Sequence, residues 1–111
     1  MEFMSCDTYW VKIYIAGPIE VAKQIIRLHT ASVGLCVTID PTTYIYTGGE
    51  EAGYVVGLIN YPRFPSTPDE LDVKAAVLAS ALRAGTGQSS YTIMTPTTTK
   101  FFSYRAEMGS E

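Results

Sequence analysis

Residues 60–65, Asn60-Tyr61-Pro62-Arg63-Phe64-Pro65, gather an amide, a phenol, a guanidinium and a phenyl ring into one short run. An arginine fork holds a phosphate bidentately, an aromatic ring stacks on a base, and an asparagine reads base or ribose edges, so the set suits a nucleotide. Pro62 and Pro65 fix φ near both ends of the run, which lowers the entropy lost when Arg63 and Phe64 are ordered. A structural use competes: Phe64 can staple the helix that follows, and Arg63 can satisfy carbonyls. Farther on, Thr95, Tyr104 and Arg105 supply hydroxyl and cationic groups along one face. They can complete a pocket for a phosphorylated ligand or simply form a solvated sheet surface. Tight capture of a phosphorylated ligand takes about two charge-assisted contacts of about 1.5–3 kcal/mol each, with aromatic stacking adding about 1–3 kcal/mol. Arg63 with Arg105, or with Arg27 of the partner subunit, can provide the first, and Tyr61, Phe64 or Tyr104 the second.

Other chemistry finds little material. His29 is the single histidine, so no histidine pair can ligate a metal, and no nucleophile-elbow pattern accompanies it. Gly48-Gly49-Glu50-Glu51 is followed by a strand pattern instead of the helix start a phosphate cradle needs, and adjacent glutamates on a strand point to opposite faces. Gly17-Pro18 ahead of the first helix offers free N–H groups to an anion, or serves only to turn the chain. Cys6 and Cys36 fit no zinc spacing and read as free thiols, Cys36 buried in a strand. No metal, no cofactor and no catalytic residue is expected, and the chain reads as a binder and not an enzyme.

These residues must be positioned by one small domain of 111 residues, with 1–9 as a tail or arm, 10–105 as the core and 106–111 as a second tail. Hydrophobic residues make up 47% and charged residues 17%, as in a folded protein with a sparsely charged surface. Eight tyrosines and four phenylalanines in so short a chain favour a homo-oligomer that hides more surface. The net charge of −3 argues against duplex nucleic acid. Residues 73–106 nevertheless carry Lys74, Arg83, Lys100 and Arg105 and no acid, enough for one small anion. No apolar run approaches a membrane span and no signal-peptide pattern opens the chain, so a soluble intracellular protein is expected.

Residues 10–16 read as a strand, and 20–31 as an amphipathic helix with Pro18 in its first turn and Gly34 beyond its end. Residues 35–39 form a second strand, ended by a turn at Asp40-Pro41. Residues 44–47 and 54–61 make a hairpin through Gly48-Gly49. Thr67 and Glu70 form a capping box with Pro68 between them, opening a helix that ends by Gly85. Residues 88–95 and 98–105 alternate as strands around Pro96-Thr97. The sum is β-α-β-β-β-α-β-β, a mostly antiparallel sheet with two helices, class α+β.

Lys12-Ile13-Tyr14-Ile15-Ala16-Gly17-Pro18 is similar to the opening of nucleoside 2-deoxyribosyltransferases over those residues alone. Over residues 10–105, the runs IYIAGPIEVAKQIIR, GLCVTIDPTTYIYTGGEEAGYVVGLINYPRFP and SYTIMTPTTTKFFSYR resemble the phage Thoeris anti-defence sponges of the first Tad family. That resemblance implies a non-catalytic protein that sequesters a glycosyl-linked cyclic ADP-ribose signal. It further implies pockets built between subunits, sites for cyclic oligonucleotides in some members, and residence in the cytoplasm of an infected bacterial host. Two rivals stand beside it: a small ring nuclease or phosphodiesterase with Glu50 or His29 as base, and a protein-binding inhibitor that adds its edge strand to a partner.

Overall fold

Val11, Ile13 and Ile15 alternate with Trp10, Lys12 and Tyr14, and only the first set is buried, which makes residues 10–16 a strand with one face to a core. In the computed structural model, which describes residues 1–104, this is β1 (Trp10–Ala16), the centre of a five-stranded sheet. Arg105 and the expected tail 106–111 lie outside the described residues.

The chain turns after β1 at Gly17, whose φ of 127° only glycine takes without strain. It enters α1 (Ile19–Val33), with Pro18 at the N-cap and Gly34 closing the helix in the left-handed region, its N–H donating to Thr30 O. A long hairpin follows, β2 (Thr38–Tyr46) and β3 (Gly49–Ile59), its turn made at Thr47-Gly48. Next comes α2 (Pro68–Thr86), opened by the expected capping box: Thr67 Oγ1 accepts from Glu70 N at 3.1 Å, and Glu70 Oε1 accepts from Thr67 N at 2.8 Å. β4 (Ser90–Met94) and β5 (Thr99–Ser103) end the described chain, joined by a turn in which Thr95 N donates to Thr98 O at 2.8 Å.

The strand order is β2-β3-β1-β4-β5, with every neighbour antiparallel. Class and element order are those expected, with one merger: the stretches read as strands at 35–39 and 44–47 belong to a single β2. Asp40-Pro41 does not turn the chain. Pro41 is tolerated inside β2 because β2 is an edge strand, where a missing N–H costs no ladder bond. Leu35, Cys36 and Val37 precede the strand, and Cys36 is exposed, correcting its expected burial. The helix expected to end by Gly85 runs on to Thr86, and a Cβ at Gly85 would fall on Ile25 Cδ1 where the two helices cross.

Both helices cover one face. Val11, Ile13, Ile15, Tyr54, Val56, Leu58, Tyr91 and Ile93 from the sheet meet Ala22 and Ile26 of α1 and Leu71, Ala75, Leu78, Ala79 and Leu82 of α2. The other face, with Trp10, Lys12, Tyr14, Val55, Met94 and Phe101, is covered by no described element. β1 follows β3 only as far as Gly53, so residues 43–52 project as a two-stranded ribbon with Ile45 and Tyr46 exposed.

Candidate functional site

The loop between β3 and α2 is held as two nested turns. Asn60 Oδ1 accepts from Ser66 N at 2.8 Å and closes the outer one, while Phe64 N donates to Tyr61 O at 3.0 Å and closes the inner. The tight inner turn turns Phe64 outward, where its side chain remains 74% exposed. The Arg63 guanidinium lies 5.8 Å from that ring's centre and has no carboxylate partner among the described residues.

α1 ends beside this loop, and α2 begins from it. Together they bound a cleft of about 490 Å³ lined by Leu35, Cys36, Tyr61, Phe64, Glu70 and Lys74, among others. On the far side of Tyr61 a wider opening of about 880 Å³ lies between residues 1–4 and Tyr61, Pro62 and Arg63. Tyr61 is therefore a wall shared by two spaces.

The cleft is chemically differentiated. Glu70 is held below the usual carboxylate range, chiefly by the Thr67 N–H and then by the Thr67 hydroxyl, with Lys74 a lesser influence, so it is an anion at neutral pH. Cys36 Sγ donates to the Tyr61 hydroxyl at 3.6 Å, and that contact raises the phenol, which stays protonated and able to donate. Lys74 stands one turn after Glu70 on the same helix face. A negative group, a positive group, a neutral phenol and an exposed ring thus border one space.

The residues expected from the sequence are only partly brought together. Tyr61, Arg63 and Phe64 meet at the loop. Asn60 is there too, but its amide is occupied, donating to Asp7 O at 2.8 Å as well as accepting from Ser66. Thr95 lies at the same end of the sheet, its hydroxyl 3.0 Å from that of Thr98 and beside a separate small cleft of about 90 Å³ with Asp72 and Lys100. Tyr104 stands at the opposite end, where its N–H reaches Ser89 O and its ring lies 3.8 Å from the Arg83 guanidinium. Arg27 is exposed on α1 and lines none of these clefts. At Gly17-Pro18 the Gly17 N–H donates to Ala52 O at 3.0 Å, which uses it for the turn.

Glu70, Lys74 and Cys36 were missed as cleft residues. Glu70 carried a signal, but as a helix cap. The return of the α1 end to this loop, which brings Cys36 near, has no local signature.

No family model matches the chain, and no curated protein matches it. Solved structures do. The fold is similar to a phage SAM lyase in complex with S-methyl-5'-thioadenosine, with a TM-score of 0.73 and 14% identity over 93% of this chain and 95% of that one. It is similar also to a phage SAM lyase in the apo state, with a TM-score of 0.69 and 15% identity over 93% and 94%. The likeness is one of fold, and it overturns the expectation of a non-enzyme drawn from missing constellations. Metal ligands, a nucleophile elbow and a phosphate cradle mark hydrolysis and group transfer, and their absence from the sequence leaves other reaction types open. This arrangement of elements is one that an enzyme also has.

Proposed function

We propose that this chain is a small enzyme of the lyase type acting on an adenosyl sulfonium, with S-adenosylmethionine as substrate and S-methyl-5'-thioadenosine as product. The observation that carries the reading is the cleft in which Phe64, Glu70 and Lys74 face one space of about 490 Å³. The substrate has three parts of matching character. Adenine stacks on the exposed Phe64 ring, a contact of about 1–3 kcal/mol. The sulfonium cation sits by the Glu70 carboxylate and the Tyr61 ring, and the amino-acid carboxylate pairs with Lys74. Cleavage breaks the bond between sulfur and the γ-carbon of the amino-acid chain as the substrate's own carboxylate oxygen bonds to that carbon, so the electron pair stays on sulfur and the cation becomes a neutral thioether and a lactone without water or an oxidant. The Tyr61 phenol and the Cys36 thiol close the cleft wall beside that sulfur.

Incubation with S-adenosylmethionine followed by chromatography tests this directly. Accumulation of S-methyl-5'-thioadenosine is expected, together with a raised melting temperature in its presence. Neither product nor shift would remove the reading.

A second reading, capture of a glycosyl-linked cyclic ADP-ribose signal, is supported by Arg63, a cation beside Phe64 with no carboxylate partner among the described residues. The same melting assay with that ligand separates the two. Either would serve a phage in the cytoplasm of an infected bacterium, by removing a small molecule on which host defence depends. A homo-oligomer formed through the uncovered sheet face belongs to the proposal as well.

A further inference from the structure

All four polar groups of Asn60 are engaged, and they join three separate segments behind the cleft. The backbone N–H donates to Tyr9 O at 2.9 Å, and the carbonyl accepts from Cys6 Sγ at 3.4 Å. The side-chain Nδ2 donates to Asp7 O at 2.8 Å, and Oδ1 accepts from Ser66 N at 2.8 Å. One residue at the end of β3 thereby holds both the arm and the far end of the loop. The arm continues the linkage, because the Tyr9 hydroxyl donates to Asp72 Oδ1 at 2.7 Å, on the helix that carries Glu70 and Lys74.

We propose that Asn60 is a positioning residue that sets the aromatic wall of the cleft, Tyr61 and Phe64, against its charged wall, Glu70 and Lys74. The proposal rests on the cleft being the ligand site, as argued above. It also replaces the ligand-reading role that the sequence suggested for this asparagine: an amide whose donor and acceptor are both spent within the chain holds the loop's shape and leaves recognition to its neighbours. Without it the outer turn has no closing bond, and the inner turn of Tyr61 and Phe64 keeps only its own. Side chains placed by a second layer of hydrogen bonds lose productive geometry when that layer is removed, even where they are themselves unchanged.

The test uses the full chain with two substitutions, Asn60→Ala and Asn60→Asp, and S-methyl-5'-thioadenosine as probe. Aspartate keeps an acceptor for Ser66 N but cannot donate to Asp7 O, so it separates the loop's closure from the arm's attachment. Amide hydrogen exchange is expected to rise at Phe64 and Ser66 in Asn60→Ala while core amides such as Ile13 and Val56 exchange as in the parent. The dissociation constant for the probe is expected to rise about tenfold, a loss of about 1.4 kcal/mol. In Asn60→Asp, Ser66 stays protected and the affinity falls between the two. Should Asn60→Ala fail to fold, Asn60→Asp carries the comparison. Unchanged exchange at Ser66 in Asn60→Ala overturns the proposal, as does parental affinity in a variant whose loop exchange has risen. If the parent itself binds no probe, the ligand reading fails, and the bracing is judged on exchange alone.

Discussion

Glu70 has two roles that one substitution separates. Its carboxylate closes the capping box and also faces the cleft. Glutamine serves a capping box as well as glutamate does, because only an acceptor for the Thr67 N–H is needed. Glu70→Gln should therefore melt only slightly below the parent while losing turnover of S-adenosylmethionine; full activity in that variant would remove the carboxylate from the chemistry. The remaining stability gap has a defined pH dependence. The folded protein holds this carboxyl below its ordinary value, so its contribution is present above the unfolded value of about 4.3 and is lost as pH falls through the folded one. Melting curves of parent and variant should differ near neutrality and converge in acid. Phe64 offers a simpler case. Its ring is exposed and holds nothing in the core, so Phe64→Ala should leave melting unchanged and weaken binding of S-methyl-5'-thioadenosine about tenfold, measured by calorimetry. The sequence made Phe64 legible, since two prolines bracketing an aromatic already imply a presented ring. It left Lys74 unread, because a lysine on an amphipathic helix looks the same whether it faces solvent or a cleft.

Among the elements, the β2–β3 hairpin shows how far local pattern carries and where it stops. The glycine turn was legible from residue types alone, and so were the helix start at Thr67 and the helix stop at Gly34, because capping and positive φ are local chemistry. Pro41 misled for the opposite reason: whether a proline breaks a strand depends on whether that strand lies at the edge, which only the assembled sheet decides. Gly53 belongs to the same category. A Cβ there would land on the Tyr44 ring and within 2.6 Å of the Ile15 carbonyl oxygen, so β1 and β3 could not keep their register beside it. Gly53→Ala should cost about 2–3 kcal/mol in urea unfolding, since the backbone oxygen cannot move aside as a side chain would. Tyr44 itself lies across this position, its hydroxyl donating to Tyr54 O at 3.0 Å. Burial pushes its pKa up to about 12. A raised value keeps the folded phenol neutral while the unfolded one ionises, so stability from this group is intact below about pH 10 and is lost as pH rises towards 12. Alkaline melting should be steeper for the parent than for Tyr44→Phe, and equal slopes would show that the hydroxyl is not buried in solution.

At the scale of the molecule, two helices cover one face of the sheet and leave the other with Trp10, Tyr14, Val55, Met94 and Phe101 half-buried or exposed. A chain of this length buries only about 60–70% of its extended surface, and an uncovered patch carrying several large apolar side chains is the surface through which the proposed oligomer would form. The face also carries both signs of charge, with Lys12 on its central strand and Asp40 at its edge, so a second copy can meet it without setting like charges opposite one another. Light scattering should then give the parent a mass that is a multiple of 12.1 kDa, while Phe101→Glu, on β5 within this face, returns it to the single-chain value. A parent already at 12.1 kDa would mean that solvent tolerates the face and that no oligomer forms through it. The variant answers a second question, because the candidate cleft lies where α1 ends and α2 begins, on the helical side of the sheet and away from Phe101. If monomeric Phe101→Glu binds S-methyl-5'-thioadenosine as the parent does, Tyr61, Phe64, Glu70 and Lys74 make a complete site within one chain. If it folds but loses binding, a neighbouring copy supplies a wall that this chain lacks, and the wide opening between residues 1–4 and Tyr61 is the place to look for its entry.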